Sequence, residues 1–363
     1  MCGEGTQTYF GVMTAIASRR HRIVFALLVT AFSITLAEVS IGNQPYGLIF
    51  PVMWVLLVPV YGLQAILLAT FVFRRNPQPT FLTVWLAGVV FGLYEFFITA
   101  VLWGEAEWGT GAGFAGVAWG ETIVIALFYH PFMSFIFPLA IVESMMVKRP
   151  HIAGLLSRWV REPGRKTITL IIVLLALAPV GLTRFAPAIV HIPLSLVLTV
   201  LVLRWLSKKV PSKVETFAEL LPSRREWWIY FSIVAATFAI VGSLIVWYHQ
   251  ITAGQIFAAL TLYTVAVVLL LSNMRHRAAT KPGFAPHLVT KRRVASFLLL
   301  AVALSAGATA VVVVKGVAAV IGIVVIWVFG ALLGLFLLAR ALRSAVRRRQ
   351  VEVAAEEPMP VAT

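Results

Sequence analysis

Apolar stretches close to the roughly 20 residues that cross the hydrocarbon of a bilayer recur along the whole chain. They lie at 23–42, 46–73, 81–103, 117–146, 167–184, 186–206, 227–248, 253–272, 294–314 and 317–339. Each is too long for a strand and too continuously apolar for the surface helix of a soluble protein. In hydrocarbon every backbone N–H and C=O must be satisfied within the protein, which leaves helices as the spanning element. The pattern predicts an all-α, polytopic integral membrane helical bundle of about ten transmembrane helices.

The polar intervals test that count. With a cytoplasmic N-terminus, Arg19, Arg20, Arg22, Arg74, Arg75 and the basic residues of 148–166, 204–225, 275–293 and 340–349 all lie inside; of 30 Lys and Arg only Arg184 and Lys315 fall outside. This alternation predicts a multi-pass protein of the cell membrane with both termini cytoplasmic. The first apolar run reads as a retained signal anchor, because no small-residue cleavage site with a soluble domain follows it. Five regions result: a cytoplasmic segment 1–22, a four-helix half 23–146, a basic loop 147–166, a six-helix half 167–339, and a tail 340–363 that is basic and then, from "EVAAEEPMPVAT", disordered. The loop 147–166 has the pattern of an amphipathic helix, with Ile152, Leu155, Leu156 and Trp159 toward lipid and a basic face toward anionic headgroups.

Composition agrees. The chain is 60% hydrophobic and 12% charged, which excludes an ordinary soluble domain, where about a quarter of residues are charged. A net charge of +16 would suggest nucleic acid in a soluble protein, but here the basic residues orient helices and imply no nucleic-acid partner. One cysteine, Cys2, excludes an internal disulfide. All 14 acids are glutamate.

Those acids are unevenly placed. Helices one to four hold Glu38, Glu95, Glu121, His130 and Glu143, whereas helices five to ten hold no acid and, in mid-span, only His191. An ionisable group in hydrocarbon is costly and marks a functional or paired site. At about 1.5 Å per residue, Glu38 and Glu121 lie about 6 Å below the outer boundary, Glu95 about 12 Å and His130 about 20 Å. Glu38, Glu95, Glu121 and His130 are therefore the candidate lining of a polar cavity open toward the outer face. Gly88 and Gly92 share the Glu95 side of helix three in a GxxxG spacing that lets another helix approach closely. On an ideal helix Glu121 and His130 stand about 180° and 13.5 Å apart, so they reach one small ion only if helix four is distorted. Pro131 deprives the Leu127 carbonyl of its donor and Pro138 that of Ser134, making the two prolines candidate hinges.

Each feature also has a plainer account. His130 can donate to a backbone carbonyl, Glu121 can complement the dipole of a helix start, and Glu143, near Lys148 and Arg149, can be a surface ion-pair partner. Glu38 is intermediate, and Glu95 has no comparable account.

Nothing indicates a phosphate-binding loop, a Ser-His-Asp triad in a chain without aspartate, haem-spaced histidines, or a mid-membrane Schiff-base lysine. The two halves show no internal repeat of the transporter kind.

The order of a glutamate ending helix one, "VYG" and "FRR" on helix two, "VFGLYEFF", then "GVAW" and "YHPFMSFIFPLAIVE" resembles an uncharacterised family of prokaryotic multi-pass membrane proteins over residues 38–143. The resemblance matches Gly92, Glu95, Trp119, His130, Ser134, Pro138 and Glu143 to that family's motif, with Phe96 in place of its second glutamate, and implies no known activity. A fainter similarity is to intramembrane prenyl-protein endopeptidases, but the paired glutamate, the arginine after it and the second His-Asn motif are missing here, so their metal site does not carry over.

Three functions remain: a proton- or cation-coupled transporter using the Glu/His cavity, an intramembrane hydrolase of lipid or peptide with Glu95 as base or metal ligand, and a structural or assembly subunit. No motif specifies a metal or other cofactor, a catalytic residue, or an oligomeric state.

Overall fold

The computed structural model describes residues 17–39, 47–103, 114–156, 188–275 and 317–356, and among these the protein is all-helical, without a strand. Among the described residues six helices are long and apolar enough to cross a membrane. The first is α1, Arg19–Val39, started by Ser18, whose hydroxyl accepts from the His21 N–H. Then α2 runs through Pro51–Leu57, Val58–Leu63 and Gln64–Arg75, α3 covers Phe81–Phe96 and α4 covers Trp119–Met146. A short α5, Ile152–Leu155, precedes α6, Ala188–Ser207; then come α7, Arg224–Tyr248, α8, Ala253–Asn273, and α9, Val317–Glu356. The stretches 167–184 and 294–314, read above as spans, lie outside the described residues.

Two helix starts carry reciprocal caps. Ser223 accepts from the Glu226 N–H while Glu226 accepts from the Ser223 N–H, and Thr252 and Gln255 do the same for α8. Each pair satisfies two N–H groups that a helix start leaves open.

Two boundaries differ from the apolar pattern. Helix α3 ends at Phe96 rather than Trp103: its last turn, Leu93–Phe96, tightens to a 3₁₀ helix, and the chain then folds through Ala100 at φ +62°. The apolar run continues past this point because the turn is itself buried, with Leu102 and Trp103 in the core. Helix α9 continues beyond 339 to Glu356, because Ala, Leu, Arg, Gln and Glu favour helix and no proline intervenes before Pro358.

Burial separates an inner bundle from an outer layer. Of the α1 and α2 spans 72% is buried inside the protein, and of α4 56%, against 6% of α7 and 22% of α8 and α9. The large apolar side chains of α7, among them Trp228, Phe231, Ile240, Leu244 and Trp247, are exposed, as befits a helix facing hydrocarbon. Helix α3 packs between α4 and α8, α9 lies along the first half of α4, and α7 covers α2. Added Cβ atoms show how close these approaches are: one on Gly88 would stand 2.7 Å from Pro131 Cα, one on Gly92 3.1 Å from His130 Cβ, and one on Gly334 2.9 Å from Leu127 Cβ. The Gly330/Gly334 spacing on α9, passed over in the sequence, repeats the GxxxG device against the same helix.

The basic intervals gather at one end of the bundle. Arg22 forms a two-pronged pair with Glu226 at 2.8 and 3.0 Å, His21 Nε2 lies 3.0 Å from the Ser212 carbonyl, Lys148 meets Glu215 at 2.5 Å, and Asn76 donates to the Met274 carbonyl at 2.9 Å. The Lys148 ammonium holds the exposed Glu215 carboxyl below its usual value. At this end the expected lipid-facing helix is corrected: Ile152 and Leu156 are buried in the core, where α5 is tucked under the bundle. Its anchor is Glu143, expected at the surface beside Lys148. Instead it is 0% exposed and accepts the N–H groups of His151 at 2.7 Å and Ala153 at 3.0 Å. The carboxylate thus satisfies the open N–H groups at the start of α5, a stronger role than a solvated ion pair.

Candidate functional site

Helix α4 is the axis of the site, and along half of its length it is not an α-helix. From Thr122 to Tyr129 and from Pro131 to Ile136 it winds as a wider π-helix, in which His130 N–H bonds to the Ile125 carbonyl and Phe137 N–H to that of Phe132. Helix α2 does the same over Val58–Leu63, around Pro59. Such windings follow from a proline without N–H and concentrate at functional sites. Both carbonyls that lose a donor to proline on α4 are met from neighbouring helices. Trp85 Nε1 donates to the Leu127 carbonyl at 3.0 Å, and the Ser33 hydroxyl donates to that of Ser134. The two candidate hinges are therefore each fastened to another helix.

His130 and Glu95 form the centre of the site. His130 Nε2 stands 2.5 Å from Glu95 Oε1, with side chains 4% and 6% exposed. The 3₁₀ end of α3 places Glu95 where the helix stops, and Gly92, one turn earlier, lets α4 come close enough for the pair to form. Thr99, just past the helix end, donates to Glu95 Oε2. The other imidazole nitrogen, Nδ1, lies 2.6 Å from Ser134 Oγ. A hydroxyl can donate or accept by rotating, so neutral and protonated His130 both keep two partners.

From this pair a hydrogen-bonded chain runs across the bundle. Tyr94 Oη lies 3.5 Å from His130 Nε2 and donates to Tyr61 Oη, and Tyr61 donates to Glu38 Oε1. It connects Glu95 on α3 and His130 on α4 with Tyr61 on α2 and Glu38 on α1. The aromatic rings enclose it: Tyr94 packs edge-on to His130 with centroids 5.1 Å apart, and Phe91 lies 5.4 Å from Tyr94 and 6.2 Å from Tyr61. Tyr129 closes the side next to α1 by donating to the Ala37 carbonyl at 2.7 Å.

Of the four residues singled out in the sequence, the chain joins Glu38, Glu95 and His130. Glu121 is buried near the start of α4, nine positions before His130. Missed in the sequence were Tyr61, Tyr94 and Ser33. Their signal was present: a phenol or hydroxyl in mid-span needs a partner inside the protein as much as a charge does. Among the described residues no three His, Cys, Asp or Glu side chains gather in one place, whereas a zinc centre ordinarily draws on at least three protein ligands.

A bundle of apolar helices that buries a glutamate–histidine pair at a helix end defines the class: a membrane protein with several candidate spans and a buried polar pair. The chain belongs to an uncharacterised membrane protein family, whose model matches residues 27–349. A segment of 124 residues is 37% identical to an uncharacterised protein of Archaeoglobus fulgidus, covering 34% of this chain and 38% of that protein's length. No solved structure matches.

Proposed function

We propose that this is a proton-coupled membrane transporter in which Glu95, His130, Tyr94, Tyr61 and Glu38 form the proton-carrying path. One observation supports the reading above all: an unbroken series of groups able to give and take a proton links two buried carboxylates across four helices. Buried carboxylates exchange protons as their surroundings change, and a histidine held at both nitrogens passes them without losing its partners. On this reading the protein lies in the cell membrane, crosses it about ten times, and keeps both termini and its basic end in the cytoplasm against anionic headgroups. That several basic intervals meet at one end of the bundle supports this orientation.

A second reading, a structural subunit whose polar groups only fix helix register, draws support from the fastening of both proline-freed carbonyls. The two readings diverge in liposomes containing a pH-sensitive dye. Under an imposed potential the wild type acidifies or alkalises the lumen, and Glu95→Gln and Tyr61→Phe do not, although both remain folded at the temperature of the assay. Absence of proton movement in the wild type would favour the structural role.

A further inference from the structure

Two arginine pairs meet at the basic end of the bundle, and neither belongs to the buried path. The candidate span of α2 ends at Arg74 and Arg75, and that of α7 begins at Arg224 and Arg225, so all four stand where hydrocarbon gives way to headgroups. They are neighbours in space as well: the Arg74 guanidinium donates to the carbonyl of Pro222, two residues before Arg224. Arg75, Arg224 and Arg225 are exposed.

Their charge has no counterpart in the protein. The carboxylate in the first turn of α7, Glu226, is held at both oxygens by Arg22 and also accepts the Ser223 N–H. Among the described residues no acid pairs with Arg75, Arg224 or Arg225. Arg75 lies over the Phe71 ring, 4.2 Å from its centroid, which restrains the guanidinium without using its N–H groups. Cations so placed call for an anion, and a phosphate suits the planar fork of donors that a guanidinium presents.

The surface next to them decides which phosphate. At about 100° per residue, Ile229, Ile233 and Ile240 follow Arg225 within about 80° on α7, and all three are exposed. Trp228, 53% exposed at the same helix start, is of the type that settles among headgroups. A free anion has no use for an apolar stripe. Arginines at the head of one fit a molecule with a phosphate at one end and hydrocarbon at the other.

We infer that Arg75, Arg224 and Arg225 bind one anionic phospholipid, whose phosphate bridges the end of α2 and the start of α7 and whose acyl chain lies along Ile229 and Ile233. This is more than the general attraction of a basic surface for anionic headgroups, because the site has one place, one occupant and its own donors. It does not depend on the proton-coupled reading.

Native mass spectrometry of the full chain in detergent, titrated with phosphatidylglycerol or with phosphatidylcholine of the same acyl chains, tests the site. The wild type retains one phosphatidylglycerol at concentrations where phosphatidylcholine does not bind. Replacing Arg75, Arg224 and Arg225 together by glutamine weakens that binding about a hundredfold, about fivefold per arginine. Replacing Arg204, Lys208 and Lys209 at the end of α6 removes the same charge and leaves the affinity unchanged. Equal weakening by the two sets, or equal binding of the two lipids, overturns the inference. So does displacement of the lipid by an equal concentration of inorganic phosphate, which would assign the arginines to a soluble anion. A phosphatidylglycerol carrying a photoreactive group in its acyl chain needs only the wild type: adducts are expected between residues 225 and 240, and adducts confined to other helices refute the site.

Discussion

The imidazole of His130 and the carboxylate of Glu95 meet at 2.5 Å between two helices, each side chain almost wholly withdrawn from the surface. Removing one member of a buried pair strands the other, at about 3–5 kcal/mol, whereas removing both strands neither. His130→Ala and Glu95→Ala are each expected to lower stability by about 3 kcal/mol, and the double variant to lose clearly less than the sum. Equilibrium unfolding of the three variants in detergent measures this coupling, and simple additivity would exclude the pair as an energetic unit.

Gly88 faces the backbone of Pro131, not a movable side chain. Gly88→Ala is expected to cost about 1–3 kcal/mol, because the Cβ would stand 2.7 Å from Pro131 Cα and one of the two helices must shift. Gly154 has nothing within 4 Å of an added Cβ, so Gly154→Ala serves as the control. Thermal unfolding of both separates close helix packing from a general intolerance of alanine.

Trp85 gives the Leu127 carbonyl the hydrogen bond that Pro131 withholds. Trp85→Phe should therefore destabilise by about 1 kcal/mol beyond its lost packing, and less in a Pro131→Ala background, where the helix regains an N–H. A cycle of these variants reads the difference. Equal cost in both backgrounds would refute the proposed substitution of one donor for the other.

Glu143 holds two N–H groups at the start of α5, and a glutamine has one acceptor oxygen for the two. Glu143→Gln should loosen residues 147–156 at a cost of about 2 kcal/mol. Hydrogen exchange of the Ala153 amide is the direct readout: faster exchange is expected there while the α3 amides keep their protection.

His151 is buried beneath α2 and lies 3.0 Å from the Pro79 carbonyl, and burial pushes its pKa below the ordinary imidazole value. The folded protein thus keeps His151 neutral where the unfolded chain binds a proton, so stability rises with pH in that window. Its contribution is complete above about pH 6.5 and declines as pH falls from there through the folded value. Unfolding midpoints between neutral and mildly acidic pH should drop less steeply for His151→Phe than for the wild type. Parallel curves would assign the pH response to other groups.

Much of this molecule was legible residue by residue. The all-helical, membrane-spanning character, the close approach at Gly88/Gly92 and the burial of Glu95 all depend on short-range periodicity and on the aversion of charge to hydrocarbon. Glu143 shows where that reading stops: proximity in sequence paired it with Lys148, but the fold turned α5 beneath it and offered backbone N–H groups instead.

The same division runs through the site. From the sequence alone came the position of a glutamate and a histidine in membrane helices and the two carbonyls that proline would leave unpaired. Only the tertiary structure decided that Tyr61 and Tyr94 connect them to Glu38, that Ser33 and Trp85 meet those carbonyls, and that α3 stops at Phe96 to present Glu95. Hydropathy and helical period are properties of neighbours along the chain. A hydrogen-bond partner in a medium without water is set by which helices lie side by side, and that is settled only when the bundle packs.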